Sequence, residues 1–243
     1  MNRTFWNIRS DHYDKLFWTR DRKYLELIKR VAKLDKRHLL LDVGTGTGTV
    51  AKYLQSSVKH VIGLDISSDM LAKGIWSDIS VVKWDIGENL FADNIFDKIV
   101  VRMVLHHVTS RPHKVFERCH AMLRPGGHLI VAEGTPPSDE SEVIAWYKKM
   151  FVLKEKRLTF SESELLGYFE KSGFGNIKKY IYMNARFSIS NWLENSGLNK
   201  DKQKKIFEMH VAAPRAVKLA YNMKNKNGDC IITTKNVIIV GAK

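Results

Sequence analysis

The 243-residue sequence predicts an α/β protein: a doubly wound, mainly parallel sheet with helices on both faces and an added helical cap. Three observations predict it. Short apolar runs of strand length alternate with helix-period segments between Leu39 and Glu133. The first run ends in a loop of three glycines that opens a helix. After Glu133 the alternation stops, and longer helical stretches rich in aromatic residues follow.

The elements follow in order. Residues 12–34 have apolar spacing for one or two helices, through Leu16, Phe17, Leu25, Ile28 and Val31. "HLLLDVG" (38–44) reads as a buried strand closed by glycine. Thr47 to Gln55 reads as helix, and "HVIGLD" (60–65) as a second buried strand. Ser67 or Ser68 then caps a short helix. "ISVVKW" (79–84) and "DKIVVRMV" (97–104) are strands three and four. "RPHKVFERCHAMLRPGG" predicts a helix with proline at its start and glycine after its end, leading into a fifth strand at 127–134. Residues 138–157 and 161–174 predict helices, 176–185 a strand, 189–223 mostly helix, and 228–243 one or two final strands. Right-handed crossovers fix the winding and put a ligand beyond the carboxyl ends of strands one to four. With no linker or repeat, one domain is expected: lid helices at 1–37, a core at 38–134, and the remaining sheet with inserted helices at 135–243.

The bulk composition narrows the function. No apolar run is long enough to span a membrane, and the N-terminus lacks a signal-peptide core. Cys119 and Cys230 are the only cysteines, so neither a disulfide framework nor a cysteine metal site is expected; no metal is expected, and the expected compartment is a reducing cytoplasm. The formal charge of +14 is uneven. Residues 1–37 hold 11 Lys/Arg against 5 Asp/Glu, and residues 199–226 hold 8 against 2, while 38–198 are nearly neutral. Two basic terminal segments are suited to meeting an anion.

The glycine loop, "DVGTGTGTV", selects among ligands. A phosphate-binding P-loop needs Lys-Ser/Thr after its last glycine, but Thr49 and Val50 follow Gly48. The spacing is G-x-G-x-G and not the G-x-G-x-x-G of dinucleotide folds. Asp42, two residues before Gly44, would repel a pyrophosphate and suits an ammonium. S-adenosylmethionine has an amino-acid end, a sulfonium and an adenosine. Asp65, closing the second strand, can accept both ribose hydroxyls. Asp85, closing the third, can accept from an adenine amino group, with Ile66, Met70 and Ile86 as apolar walls.

"LLDVGTGTGTVAKYL", "VIGLDISSDML", "VVKWDIGENLFADNIFDKIVVRMVLHHV" and "MLRPGGHLIVAE" occur in that order. Together they resemble the class I S-adenosylmethionine-dependent methyltransferases, especially the branch with the ubiquinone/menaquinone-biosynthesis enzymes. The resemblance is strong over 38–134 and rests on layout elsewhere. It implies a seven-stranded sheet whose last strand is antiparallel, a role that suits "NVIIVGAK". It implies that Gly44, Thr45 and Gly46 floor the methionine side, that Asp65 holds the ribose, and that Asp85 and Ile86 hold the adenine. It also implies that backbone around Arg102 and Met103 approaches the amino-acid end. An N-terminal lid is implied over the cofactor, with Tyr13 its first candidate and Arg20 a lesser one.

Methyl transfer is a displacement on an already activated carbon, so positioning dominates and no catalytic signature is obligatory. His106 and His107 in "RMVLHHV" are the candidate general bases. Arg102 is placed to pair with an anionic substrate or with Glu133. The acceptor pocket is expected from segments 5–24, 137–157 and 186–223, which hold Phe5, Trp6, Phe17, Trp18, Trp146, Tyr147, Phe151, Trp192, Phe207 and Tyr221. The basic segments, including Lys202, Lys204, Lys205, Arg215 and Lys218, are expected to meet at the cleft mouth and favour a small anionic acceptor. Two alternatives stand beside the small-molecule enzyme. One is an RNA methyltransferase whose basic segments track phosphates. The other is a cofactor-binding protein without transfer activity.

Overall fold

A computed structural model describes residues 8–243. Strands β1 (Leu39–Val43), β2 (His60–Asp65), β3 (Ile79–Lys83), β4 (Phe96–Arg102) and β5 (Leu123–Thr135) form parallel pairs in the order β3-β2-β1-β4-β5. Three more strands complete the sheet: β6 (Gly175–Ser188), β7 (Lys224–Lys226) and β8 (Asp229–Ala242). β8 runs antiparallel between β5 and β6, and β7 pairs with β8. The order reverses between β1 and β4, where the loops leaving the strand ends diverge and open a crevice.

Side-chain alternation along the strands divides the interior into two layers. Leu41, Val43, Ile99, Val101, Leu129 and Val131 pack against α4 (His113–Met122) and α6 (Glu162–Lys171) through Phe116, Cys119, Leu165 and Phe169. Leu40, Val61, Val100 and Ile130 face the opposite layer. There Tyr24, Leu25, Ile28 and Val31 of α1 (Arg22–Ala32) and Val50, Ala51 and Leu54 of α2 (Thr49–Leu54) cover them. Asp21 caps α1 by accepting from the backbone N–H groups of Lys23 and Tyr24. Ser67 caps α3 (Ser68–Lys73), and Ser161 with Glu164 makes a reciprocal capping box on α6.

A third apolar cluster lies beyond the sheet end. It joins α5 (Ser141–Lys154), α7 (Ile189–Glu194), α8 (Lys200–Val211) and α9 (Arg215–Ala220) through Trp146, Met150, Trp192, Ile206 and Val217. Cys230 and Ile232 of β8 belong to this cap cluster, whereas Val237 to Val240 of the same strand belong to the sheet layers. The cap is therefore built on one end of a sheet strand.

Three sequence expectations change. Among the described residues the sheet has eight strands, seven along the main order plus the short β7, and not seven in all. β7 and β8 form a hairpin through Asn227 and Gly228, both with positive φ (53° and 78°), the backbone that an Asn-Gly pair supplies. The helix α4 ends at Met122 and not at the glycine pair. Leu123 is already extended and pairs with Phe96, and Gly126 and Gly127 turn within an irregular stretch before His128 rejoins Lys98. A Cβ on Gly127 would lie 2.9 Å from Arg124 O and 3.1 Å from Asp97 O, so this turn requires glycine.

Candidate active site

The loop after β1 is built for close backbone approach. Gly44, Gly46 and Gly48 all have positive φ, at 67°, 59° and 89°. A Cβ on Gly44 would fall 2.2 Å from Val104 Cγ2, a contact no side chain could make. The N–H groups of Gly44 and Thr45 donate to Leu64 O, at 2.7 and 3.0 Å, tying the loop to the end of β2. Asp65 Oδ2 accepts from Gly46 N at 2.8 Å, and its Oδ1 accepts from Ser67 N at 2.8 Å. The loop, Asp65, Ile66, Met70, Trp84, Asp85, Ile86 and Arg102 line one cleft of about 410 Å³. Asp85 is exposed at its rim and accepts from Gly87 N at 2.8 Å.

Two residues expected in this cleft stand behind it. Asp42 is 1% exposed; its Oδ2 accepts from Thr45 Oγ1 (2.7 Å) and from Ala51 N (3.1 Å). The reason is strand alternation: Asp42 shares the face of Leu40, which looks toward α2, so its carboxylate meets the first turn of that helix. Burial pushes its pKa up to about 7, and its two donors pull it back. Thr45 is likewise buried and props the loop, packing against Gly63. Neither lines the cleft.

Arg102 lines the cleft but spends its guanidinium on the N-terminal segment. Nη1 donates to Thr19 O at 3.2 Å and Nη2 to Trp18 O at 3.1 Å. The group also packs on the Trp18 and Tyr24 rings, 5.4 and 5.1 Å from their centroids. The expected pairing with Glu133 does not form, because Glu133 pairs with His106 instead. Thr47 Oγ1 donates to Asp14 at 2.7 Å, and Asn191 donates to Lys15 O at 3.1 Å. The 3₁₀ turns Tyr13–Lys15 and Phe17–Arg20 are thus strapped across the loop, β4 and α7. Arg20 is exposed and lines neither space.

A second cavity, of about 110 Å³, lies between the sheet end and the cap. Trp18, Tyr147, Phe151, Trp192 and Tyr221 line it as expected, together with Phe187 and Ile232. Trp146 sits in the cap core, edge-on to His210 and Tyr221, and Phe207 packs against the same core. Phe17 is 70% exposed. Phe5 and Trp6 lie outside the described residues. The five basic residues expected at the mouth, Lys202, Lys204, Lys205, Arg215 and Lys218, are all exposed on α8 and α9 and line neither space. Arg9, Lys154 and Arg157 line the cavity in their place.

Tyr13, Met103 and His107 line both the cleft and the cavity, and so form the partition between them. Met103 has φ 57°, a left-handed conformation uncommon outside glycine, held by its N–H donating to Ala132 O at 2.8 Å. His106, 3% exposed, lies against His107 with ring centroids 4.0 Å apart. Its Nδ1 is 2.7 Å from Glu133 Oε1. Gly134 N donates to the same oxygen at 3.1 Å, an environment that favours an ionised Oε1 as acceptor, with the hydrogen of the pair on Nδ1 and a lone pair on Nε2. Burial holds both histidines well below the usual imidazole value, with nearby cations adding to the effect, so both are neutral at physiological pH.

His106, His107 and Glu155 bring potential ligand atoms within 4.8 Å of one another. A divalent cation there would meet three positive charges, since Glu155 already serves Lys154, Arg9 and Arg157 at 2.8, 3.1 and 3.6 Å. The arrangement suits a cation poorly.

The cleft suits S-adenosylmethionine. Its volume lies in the ~300–1,000 Å³ range of ligand pockets. It has a side-chain-free loop, a carboxylate at the end of β2, and apolar walls from Ile66, Met70 and Ile86.

Comparison with known proteins agrees. A family model described as a methyltransferase domain matches residues 17–179. Phosphoethanolamine N-methyltransferase 2 of Caenorhabditis elegans is 30% identical over 165 residues, 63% of this chain, which spans only 36% of that protein. Demethylmenaquinone methyltransferase of Clavibacter sepedonicus is 27% identical over 194 residues, 74% of each chain. The tRNA U34 carboxymethyltransferase of Mannheimia succiniciproducens is 27% identical over 218 residues, 84% of this chain and 67% of that one. Among solved structures, the YcgJ protein of Bacillus subtilis superimposes with a TM-score of 0.78 at 20% identity, covering 91% of this chain and 98% of its own. With the glycine loop, the acids at the ends of β2 and β3 and the 3-2-1-4-5 strand order in register, the chain belongs to the class I S-adenosylmethionine-dependent methyltransferases, in the branch of the ubiquinone/menaquinone-biosynthesis enzymes.

Proposed function

We propose that the protein methylates a compact small molecule held in the aromatic cavity, with the cofactor in the adjoining cleft. One observation carries this reading: Tyr13, Met103 and His107 are shared by both spaces, so a methyl group at the cleft side of that partition meets an acceptor at the other. When bound, the cofactor supplies a methyl carbon activated by its sulfonium. Asp65 is suited to accept from ribose hydroxyls, Asp85 from the adenine amino group, and Gly44 and Gly46 to pass beneath the methionine part.

The chain's own residues do the rest. The strap of residues 13–20, fastened by Arg102 and by the Asp14–Thr47 bond, brings Tyr13 to the partition and is suited to shield it from bulk water. Neutral His107, lining the partition, is the group suited to accept a proton from the acceptor, and His106 is held in one tautomer behind it by Glu133. The cavity, at about 110 Å³, is of the same order as the ~150 Å³ apolar cavity that admits benzene, a scale that favours an acceptor of one small ring or a short chain over a polynucleotide. An aromatic cavity beside the cleft also supports an enzyme over a non-catalytic cofactor-binding protein. The two buried, unpaired thiols, Cys119 and Cys230, suit a reducing cytoplasm, and among the described residues no helix is long and apolar enough to cross a membrane.

The test is to incubate the protein with methyl-labelled S-adenosylmethionine and a cell extract, then separate small molecules from RNA. The reading expects label in the small-molecule fraction, unaffected by nuclease. Label confined to nuclease-sensitive RNA would contradict it.

A further inference from the structure

Four charged side chains meet beside the partition, on the cavity side. Arg9 Nη1 lies 3.1 Å from Glu155 Oε2, Lys154 Nζ 2.8 Å from the same oxygen, and Arg157 Nη1 3.6 Å from Oε1. All four are buried, with side-chain exposures of 2–6%. Each cation is backed by a ring: Arg9 by Tyr13, Lys154 by Trp192 and Arg157 by Phe151, at 5.9, 5.1 and 4.0 Å. Their polar ends therefore converge on one carboxylate.

That carboxylate does not balance them. Glu133 lies close enough to feel the Arg157 charge, and it already accepts from His106 and Gly134. Lys235 also lines the cavity but is bound to Glu162. With Lys154 protonated, three cations against Glu155 and Glu133 leave one positive charge out of water, a cost relieved either by loss of the Lys154 proton or by another anion joining the cluster. Burial accordingly pushes Lys154 down to about 7, with Glu155 opposing the shift. The cluster lies next to the reaction partition, since Glu155 and His107 bring ligand atoms within 4.8 Å.

We propose that Arg9, Lys154 and Arg157 receive one carboxylate of the methyl acceptor, making the substrate class a compact aromatic or apolar monocarboxylate. This rests on the reading of the cavity as the acceptor site. A single excess positive charge matches a monoanion, whereas a phosphate monoester would bring a second negative charge against Glu155.

The test titrates benzoate, its neutral isostere benzamide, and phenyl phosphate into protein loaded with S-adenosylhomocysteine. Fluorescence of Trp18 and Trp192, which line the cavity, reports binding, and calorimetry gives affinities. Benzoate is expected to bind about tenfold or more tightly than benzamide, the scale of one charge-assisted contact, and more tightly than phenyl phosphate. Lys154→Met, which leaves Glu155 its two arginine partners, should erase most of that preference. Glu155→Gln removes the competing carboxylate and should tighten benzoate, an effect a merely structural ion cluster would not produce. S-adenosylhomocysteine affinity, measured in parallel, reports the cofactor site separately. Benzamide binding as tightly as benzoate, or phenyl phosphate binding best, overturns the carboxylate receptor and leaves the acceptor cavity standing. Binding of none of the three while S-adenosylhomocysteine binds overturns both. The wild-type comparison decides the matter even if a variant fails to fold.

Discussion

Glu133 of β5 grips His106, in the turn after β4, through a 2.7 Å hydrogen bond from Nδ1 to Oε1, with both side chains buried. The pair orients the ring that packs on His107. Glu133→Gln keeps an oxygen for His106 and Gly134 and should be mild. Glu133→Leu leaves both donors without an acceptor, which costs about 1–3 kcal/mol for each buried group. Denaturant midpoints of the two variants check this; equal midpoints would show that the bond contributes nothing.

Gly44 is required twice over, by its φ of 67° and by Val104. Gly44→Ala should weaken S-adenosylhomocysteine binding and lower stability. Adding Val104→Ala removes the 2.2 Å contact but not the left-handed backbone, which still costs an alanine about 1–2 kcal/mol. A thermodynamic cycle should therefore show partial rescue. Full rescue would mean that only the contact matters.

Asp65 contributes both to the loop, through Gly46 N, and to the cleft wall. Asp65→Ala should lower S-adenosylhomocysteine affinity by about 10- to 100-fold, the value of one hydrogen bond to a charged group. Calorimetry measures it, and an unchanged affinity would remove Asp65 from the site.

Lys154 makes stability depend on pH. Its pKa falls from 10.5 unfolded to about 7 folded through burial. Between those values the unfolded chain holds a proton that the folded chain lacks, so unfolding takes up a proton and stability rises with pH. The slope is at most ~1.4 kcal/mol per pH unit for one group. Lys154→Met should flatten it, as urea titrations from pH 7 to pH 10 would read; parallel curves for the two proteins would contradict the assignment.

The residues that line the cleft were legible because they sit at the ends of consecutive parallel strands. Gly44, Asp65 and Asp85 each follow a recognisable strand, and parallel pairing brings those ends together. Asp42 was misread although the signal was present: alternation from Leu40 directs it to α2. Arg102 could not be read, since its partners, Thr19 O and Trp18 O, are backbone atoms more than 80 residues away. The charged end of the cavity was missed for a similar reason. Arg9 and the run "KEKR" at 154–157 are distant in sequence, and the charge excess drew attention to lysines that face solvent. The Asn227-Gly228 pair carried the signal of the β7–β8 hairpin, a signal that the reading of 228–243 as one or two final strands did not use.

The central claim is that one partition of Tyr13, Met103 and His107 separates methyl donor from acceptor. A crystal structure with S-adenosylhomocysteine tests it most directly. The account predicts the ribose at Asp65 and the sulfur against the partition, facing the aromatic cavity. A sulfur turned away from Tyr13 and His107 toward solvent, with the cavity closed off behind them, would contradict it.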